Sequence, residues 1–215
     1  GQMLEIKGLK SFLEKIGVLS KIDFDIEEVG QPIPFRWGKC KLATVSYGHG
    51  ITTTPLQLAK AYGIITNGGF EINPTLIKNK KENNKKSLIK KNTSDTINLI
   101  LRKIVVEGTA KLANVNGYEV GGKTGTANKS VKGGYSKKKI NTFSSIFPTS
   151  NPKFVLVVLM EETKISSDYI YEYRDGSEFK LKGSPRNTAA WTSVEVAGKI
   201  IEKIGPILAT KYIEN

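Results

Sequence analysis

The sequence predicts an α+β fold: an antiparallel sheet with a long C-terminal helix packed on it, and a helical lobe before it. Three observations carry this. Apolar residues recur at helical spacing in the first half and again at the end, three strand candidates crowd between residues 118 and 160, and the strands lead into a long helix without the strand-helix alternation of a parallel sheet. No internal repeat is visible. At 215 residues the chain fits one domain, or one lobe of a larger one. The expected division is a mainly helical stretch with connecting segments over 1–115, then the sheet and terminal helix over 116–215.

Leu4, Ile6, Leu9, Phe12, Leu13 and Ile16 predict a short amphipathic helix that Gly17 stops. Residues 20–50 hold Pro32, Pro34 and several glycines with little periodicity, and read as a long connecting loop. Thr54-Pro55 marks a helix start, Leu56, Leu58, Ala59, Tyr62 and Ile65 give it an apolar face, and Asn67-Gly68-Gly69 ends it. A strand is expected over Phe70–Lys78, and the lysine-dense 78–91 reads as a solvated hairpin or loop. A cap at Thr93 or Ser94 opens the next helix, with Ile97, Ile100, Leu101, Ile104 and Val105 on one face and Gly108 closing it.

Strands are expected over Tyr118–Ala127, Ile140–Pro148 and Phe154–Met160, the last (FVLVVLM) buried on both faces. YIYEYR and SEFKLK flank Asp175-Gly176, a two-residue hairpin signal. The terminal helix is expected from about Ala189 to Leu208, its stripe made by Val194, Ala197, Ile200, Ile201 and Ile204.

Lys and Arg total 33 against 20 Asp and Glu, a formal charge of +13 that brings an anionic partner into view. Only Arg36, Arg102, Arg174 and Arg186 are arginines, so the planar fork that grips phosphate or reads guanine is scarce, and no nucleic-acid partner is expected. The excess lysine, with abundant isoleucine and asparagine, matches the codon bias of an AT-rich genome. Cys40 stands alone and leaves the redox compartment open. No apolar run approaches the roughly 20 residues of a membrane span, and the N-terminus lacks a signal peptide's apolar region, so any exporting segment lies outside the chain.

The chemistry concentrates in EVGGKTGTANKS, residues 119–130. On a strand, Thr124 and Thr126 share one face and Lys123 and Gly125 the other. Two hydroxyls about 6–7 Å apart, two strand rises of about 3.3 Å, can grip a carboxylate. Lys123 adds a positive charge that gains value where water is excluded. Gly125 admits another backbone, as a strand-like substrate requires. A backbone N–H of such a strand also serves as an oxyanion donor.

GGKTGTA, followed by NTFSSIFPTSNPKFVLVVLMEE, resembles the third to fifth strands of the penicillin-binding protein transpeptidase domain. SYGHGITTTPLQLAKAYGIITNGG and IDFDIEEVGQPIP resemble the segments that precede those strands in class B members, and TAAWTSVEVAGKIIEKIGPIL is similar to the terminal helix of the septal, cell-division type. Lys-Thr-Gly is one of the superfamily's three motifs, beside Ser-x-x-Lys and a Ser-x-Asn type element.

The resemblance implies a serine D,D-transpeptidase of peptidoglycan synthesis, with no cofactor and no metal. Lys123 then supports the Ser-x-Asn serine and attracts the substrate carboxylate, Thr124 and Thr126 bind that carboxylate, Gly125 lies on the same substrate-binding strand, and the Thr126 N–H completes the oxyanion hole. The implied ligands are the stem peptide and β-lactams. Division-complex membrane proteins are the implied partners, through a parent anchored to the inner membrane and facing the periplasm. No Ser-x-Asn occurs in the sequence, and Ser87–Lys90, Ser136–Lys139, Ser150–Lys153 and Ser177–Lys180 match Ser-x-x-Lys without beginning an apolar helix. The chain therefore resembles the C-terminal portion of the domain and is not expected to acylate alone. A β-lactamase or β-lactam sensor of the same superfamily, and a non-catalytic basic module for an anionic polymer, stay open as alternatives. His49 is expected in a structural or loop role, Asn128 and Tyr135 either line the cleft or form a loop, and the hairpin at 168–182 is either a surface elaboration or an overhang of the cleft.

Overall fold

The computed structural model describes residues 2–78, 86–132, 134–164, 166–183 and 186–212, which fall into two compact units, Gly1–Ser94 and Asp95–Asn215. The first unit holds α1 (Glu5–Lys15), α2 (Lys39–Val45) and α3 (Pro55–Thr66), and its small core joins Ile16 and Val18, just after α1, to Ala61 and Ile64 of α3 and to Leu88. Thr54 caps α3 in a capping box: its hydroxyl accepts from Gln57 N (3.1 Å) while Gln57 Oε1 accepts from Thr54 N (2.8 Å). Gln57 is fully buried, and its Nε2 donates to the Ser20 carbonyl (2.7 Å), tying α3 to the chain that leaves α1.

Two expectations for this unit fail. The loop expected over 20–50 contains α2, which starts at Gly38 without a side-chain cap and so gives no start signal. The strand expected over Phe70–Lys78 is reduced to one bridge, Phe70 to Ser87, with Glu71 N donating to Lys86 O (2.9 Å). Residues 79–85 of the lysine-dense segment lie outside the described residues.

α4 (Lys91–Val106) begins two residues before the expected Thr93 cap. Ser94 is instead fully buried inside it and accepts from Gly68 N (3.0 Å). The sheet of the second unit has the order β1-β2-β3, all antiparallel: β1 (Gly121–Val131), β2 (Gly134–Phe147) and β3 (Phe154–Glu161). The β1–β2 hairpin runs past the expected ends, through polar residues with no apolar alternation to announce it.

The core joins Phe143, Phe147 and Val158 of the sheet to Val194, Ala197 and Ile201 of α5 (Ser193–Tyr212), with Val105, Leu112 and Val115 completing it. Ile204, expected in the stripe, lies off it at 38% exposure. β3 is not buried on both faces. Phe154, Leu156, Val158 and Met160 alternate onto the core, whereas Leu159 is 45% exposed, because the helix covers a single face.

The hairpin β4 (Ile170–Glu172) and β5 (Lys180–Lys182) is built into the core of this unit. Its connection is longer than the two residues expected: Tyr173 N still donates to Phe179 O (2.9 Å), and Arg174 turns inward. Arg174 makes a bidentate fork on Glu195 of α5 (2.9 and 3.0 Å) and also donates to the carbonyls of Leu112 and Glu172. Burial works to lower the Arg174 pKa, and the Glu195 and Glu202 carboxylates outweigh it, holding the guanidinium above its ordinary value. Tyr171 stacks edge-on against Trp191, in the short 3-10 turn Ala189–Trp191 that leads into α5.

Candidate active site

Two glycines fix where the Lys-Thr-Gly strand runs. A Cβ on Gly121 would lie 2.4 Å from Thr149 Cγ2 and 3.1 Å from the Arg102 backbone N of α4. One on Gly122 would lie 2.6 Å from Phe143 Cζ on the opposite face. The strand start is thus pressed from both sides, and Arg102 Nη1 pins the preceding residue by donating to the Val120 carbonyl (2.8 Å). Four residues on, the crowding ends: the nearest atoms to a Cβ on Gly125 are 3.9 Å away. The sequence changes there from buried glycines to exposed Lys123, Gly125 and Thr126 around a half-buried Thr124.

Among the described residues β1 pairs only with β2, so its other edge is open. Lys123 curls back along that strand and donates to the Thr124 carbonyl (2.7 Å). This carbonyl therefore faces the open edge, and because alternate residues of an antiparallel strand direct their amide groups to the same edge, the Thr126 N–H faces it too. Lys123 and the threonine side chains leave opposite faces of the strand, yet the ammonium arrives at the edge the threonine amides share.

Each hydroxyl has a partner that the local pattern does not reveal. Thr124 Oγ1 lies 3.0 Å from Thr109 Oγ1, in the turn after α4. Thr126 Oγ1 accepts from the Ala189 N–H (3.0 Å) across 63 residues of chain, which leaves its own proton for another acceptor. An anion at this edge would meet an ammonium, an O–H and outward N–H groups as donors, beside the outward Thr124 and Thr126 carbonyls. The remaining candidates sit elsewhere. Asn128 and Tyr135 lie farther along the β1–β2 hairpin, on either side of a register shift between Asn128 and Ser130. His49 belongs to the turn after α2, stacked near Tyr47 with ring centroids 6.1 Å apart. None of the four Ser-x-x-Lys serines opens a helix: Ser87 is in the bridge to Phe70, Ser136 in β2, Ser150 in the turn before β3 and Ser177 in the β4–β5 connection.

Residues 1–177 match the family model of the penicillin binding protein transpeptidase domain. The probable peptidoglycan D,D-transpeptidase FtsI of Caulobacter vibrioides is 27% identical over 217 residues, covering 94% of this chain and 34% of that protein. Stage V sporulation protein D of Bacillus subtilis is 33% identical over 180 residues, covering 76% of this chain and 28% of that protein. The chain thus spans about a third of the length of the curated relatives it matches. The fold is shared with the transpeptidase domain of Burkholderia pseudomallei penicillin-binding protein 3, at a TM-score of 0.74 and 23% identity over 94% of this chain and 57% of that one. It is shared equally with Mycobacterium tuberculosis penicillin-binding protein 3 complexed with aztreonam, at 0.74 and 22% over 95% and 48%. With the family model spanning most of its length and the sheet and terminal helix arranged as in these domains, the chain belongs to the penicillin-binding protein transpeptidase family.

Proposed function

We propose that this chain is the C-terminal, substrate-binding portion of a serine D,D-transpeptidase that cross-links peptidoglycan during cell division. The observation that carries the reading is the open edge of β1, where an ammonium, an uncommitted hydroxyl proton and outward amides converge in a chain of this family. Lys123, Thr124 and Thr126 hold the terminal carboxylate of the stem peptide, Gly125 leaves room for its backbone, and the Thr126 N–H stabilises the charge that develops on the reacting carbonyl. The β-lactams pair an anionic group, a carboxylate or in aztreonam a sulfonate, with a reactive carbonyl, and a structural relative is known with aztreonam bound.

Acylation requires a serine with an adjacent base. The serines of this sequence that match Ser-x-x-Lys lie in turns, a strand and a bridge, which supports assigning the nucleophile and the Ser-x-Asn element to sequence beyond this chain and no acylation to this portion alone. In this reading the parent protein faces the periplasm from a membrane anchor and works with division proteins. Among the described residues no helix is long and apolar enough to cross a membrane. The test is covalent labelling of the full-length polypeptide with a fluorescent penicillin. Labelling is expected, and it should fall in Thr126→Val and Lys123→Ala. A full-length protein that folds and takes no label would overturn the reading, and rapid release of hydrolysed drug would assign it to a β-lactamase instead.

A further inference from the structure

Behind Thr126 lies a cluster of amides and a hydroxyl that the substrate-binding strand does not itself supply. Asn141 of β2 stands directly opposite Thr126 in the register and is fully buried. Its Nδ2 donates to Asn187 Oδ1 (2.7 Å) and Thr163 Oγ1 (3.0 Å). Thr163 Oγ1 also donates to Asn187 Oδ1, and Asn187 Nδ2 donates back to the Thr163 carbonyl (2.6 Å). The cluster thus clamps Asn187, two residues before Ala189, whose N–H donates to Thr126 Oγ1. Thr163 and Asn187 are half-buried and Asn141 fully buried, and burying a polar group beside a sheet is unfavourable unless it is satisfied; among the described residues Asn141 Oδ1 has no hydrogen-bond partner. Packing alone would favour apolar side chains here.

We propose that Asn187, Thr163 and Asn141 are positioning residues that aim the Thr126 hydroxyl. By fixing the 187–189 backbone they hold the Ala189 N–H on one lone pair of Thr126 Oγ1, so that the threonine proton is the group presented at the open edge. A hydroxyl that already accepts from an N–H is a polarised donor, and it prefers an anionic acceptor. The cluster then acts on discrimination between a free acid and its neutral counterpart, with no contact to the ligand. This rests on the reading of the β1 edge as a carboxylate site.

The test compares acylation of the full-length polypeptide by benzylpenicillin and by its methyl ester, in the parent, Asn187→Ala, Thr163→Val, Thr126→Val and the Asn187→Ala/Thr126→Val pair. Mis-aiming one hydrogen bond to a charged group should slow the acid about tenfold in Asn187→Ala and in Thr163→Val while the ester rate holds. The double variant should match Thr126→Val alone. Acid and ester slowed in step would mean a structural role and overturn the proposal. So would an unchanged acid rate in variants that melt like the parent. Thr163→Val, which is nearly isosteric, decides the matter if Asn187→Ala fails to fold. Hydrogen exchange at the Ala189 amide separates this proposal from the functional reading. The amide should exchange slowly in the parent and about tenfold faster in Asn187→Ala even if no penicillin labels the protein, and equal rates would overturn the positioning role.

Discussion

Removing Glu195 tests how the second unit is held together. Both side chains of the Arg174–Glu195 pair are 4% exposed, so Glu195→Ala strands a guanidinium in a place water does not reach. Breaking a buried pair from one side costs about 3–5 kcal/mol. Arg174 keeps some relief here: Nε is 3.2 Å from Glu202 Oε2, whose side chain is 56% exposed, and Nη1 still reaches the Leu112 and Glu172 carbonyls. The lower end, about 3 kcal/mol, is therefore expected, which corresponds to a fall in Tm of about 6–12 °C for a chain of this size. The paired replacement Arg174→Met/Glu195→Met removes both charges but leaves the Leu112 and Glu172 carbonyls and the Tyr169 hydroxyl without these partners, and should recover only part of the loss. Arg174→Lys should resemble the broken pair, since one ammonium cannot reproduce the fork. Thermal melts followed by circular dichroism, with urea titrations for the free energies, give these numbers. A Glu195→Ala protein that loses less than about 1 kcal/mol would show the pair to be solvated and worth no more than a surface one, and the integration of the hairpin into this core would then need another cause.

The glycines of β1 divide sharply. Gly122→Ala puts a methyl 2.6 Å from the Phe143 ring and should cost about 1–3 kcal/mol in a melt, whereas Gly125→Ala, with 3.9 Å of clearance, should stay within about 0.5 kcal/mol of the parent and yet slow penicillin labelling of the full-length protein. Equal melts for the two would refute the packing assigned to the strand start. Glu119 is held below the ordinary carboxyl value by hydrogen bonds from Ser150, first its side chain and then its backbone, with Arg102 adding a smaller pull against a burial effect that opposes both. A depressed folded-state pKa contributes stability above the ordinary value near 4.5 and loses it as the pH falls through the folded value. The parent should therefore outlast Glu119→Gln in melts at neutral pH, with the gap closing as the pH drops below that value. A gap that does not shrink as the pH is lowered below 4.5 would contradict the assignment.

What the sequence discloses and what it withholds divide along the range of the interactions involved. Thr54-Pro55 announces α3 because a cap and a proline at the first helical position are adjacent in sequence, and the structure adds a capping box through Gln57. Lys123 to Thr126 read as a strand because alternation is a property of neighbours, and the structure keeps the two threonines on one face and Lys123 on the other. α2 is silent because Gly38 starts it with no side-chain bond, and the outer half of the β1–β2 hairpin is silent because register with its partner, not an apolar pattern, makes it a strand. The site divides in the same way. The residues proposed to meet a ligand are contiguous and legible, whereas the partners of their hydroxyls are distant in sequence, Thr109 for Thr124 across 15 residues and Ala189 for Thr126 across 63, with Asn141, Thr163 and Asn187 hydrogen-bonded behind the latter, and none of them has a local signature. Asn187 reads as an ordinary loop residue until the sheet and the terminal helix have closed around it. A search for further determinants of this edge therefore belongs in the segment between β3 and α5, where chain distant in sequence returns to the strand, more than in the residues that flank the Lys-Thr-Gly motif.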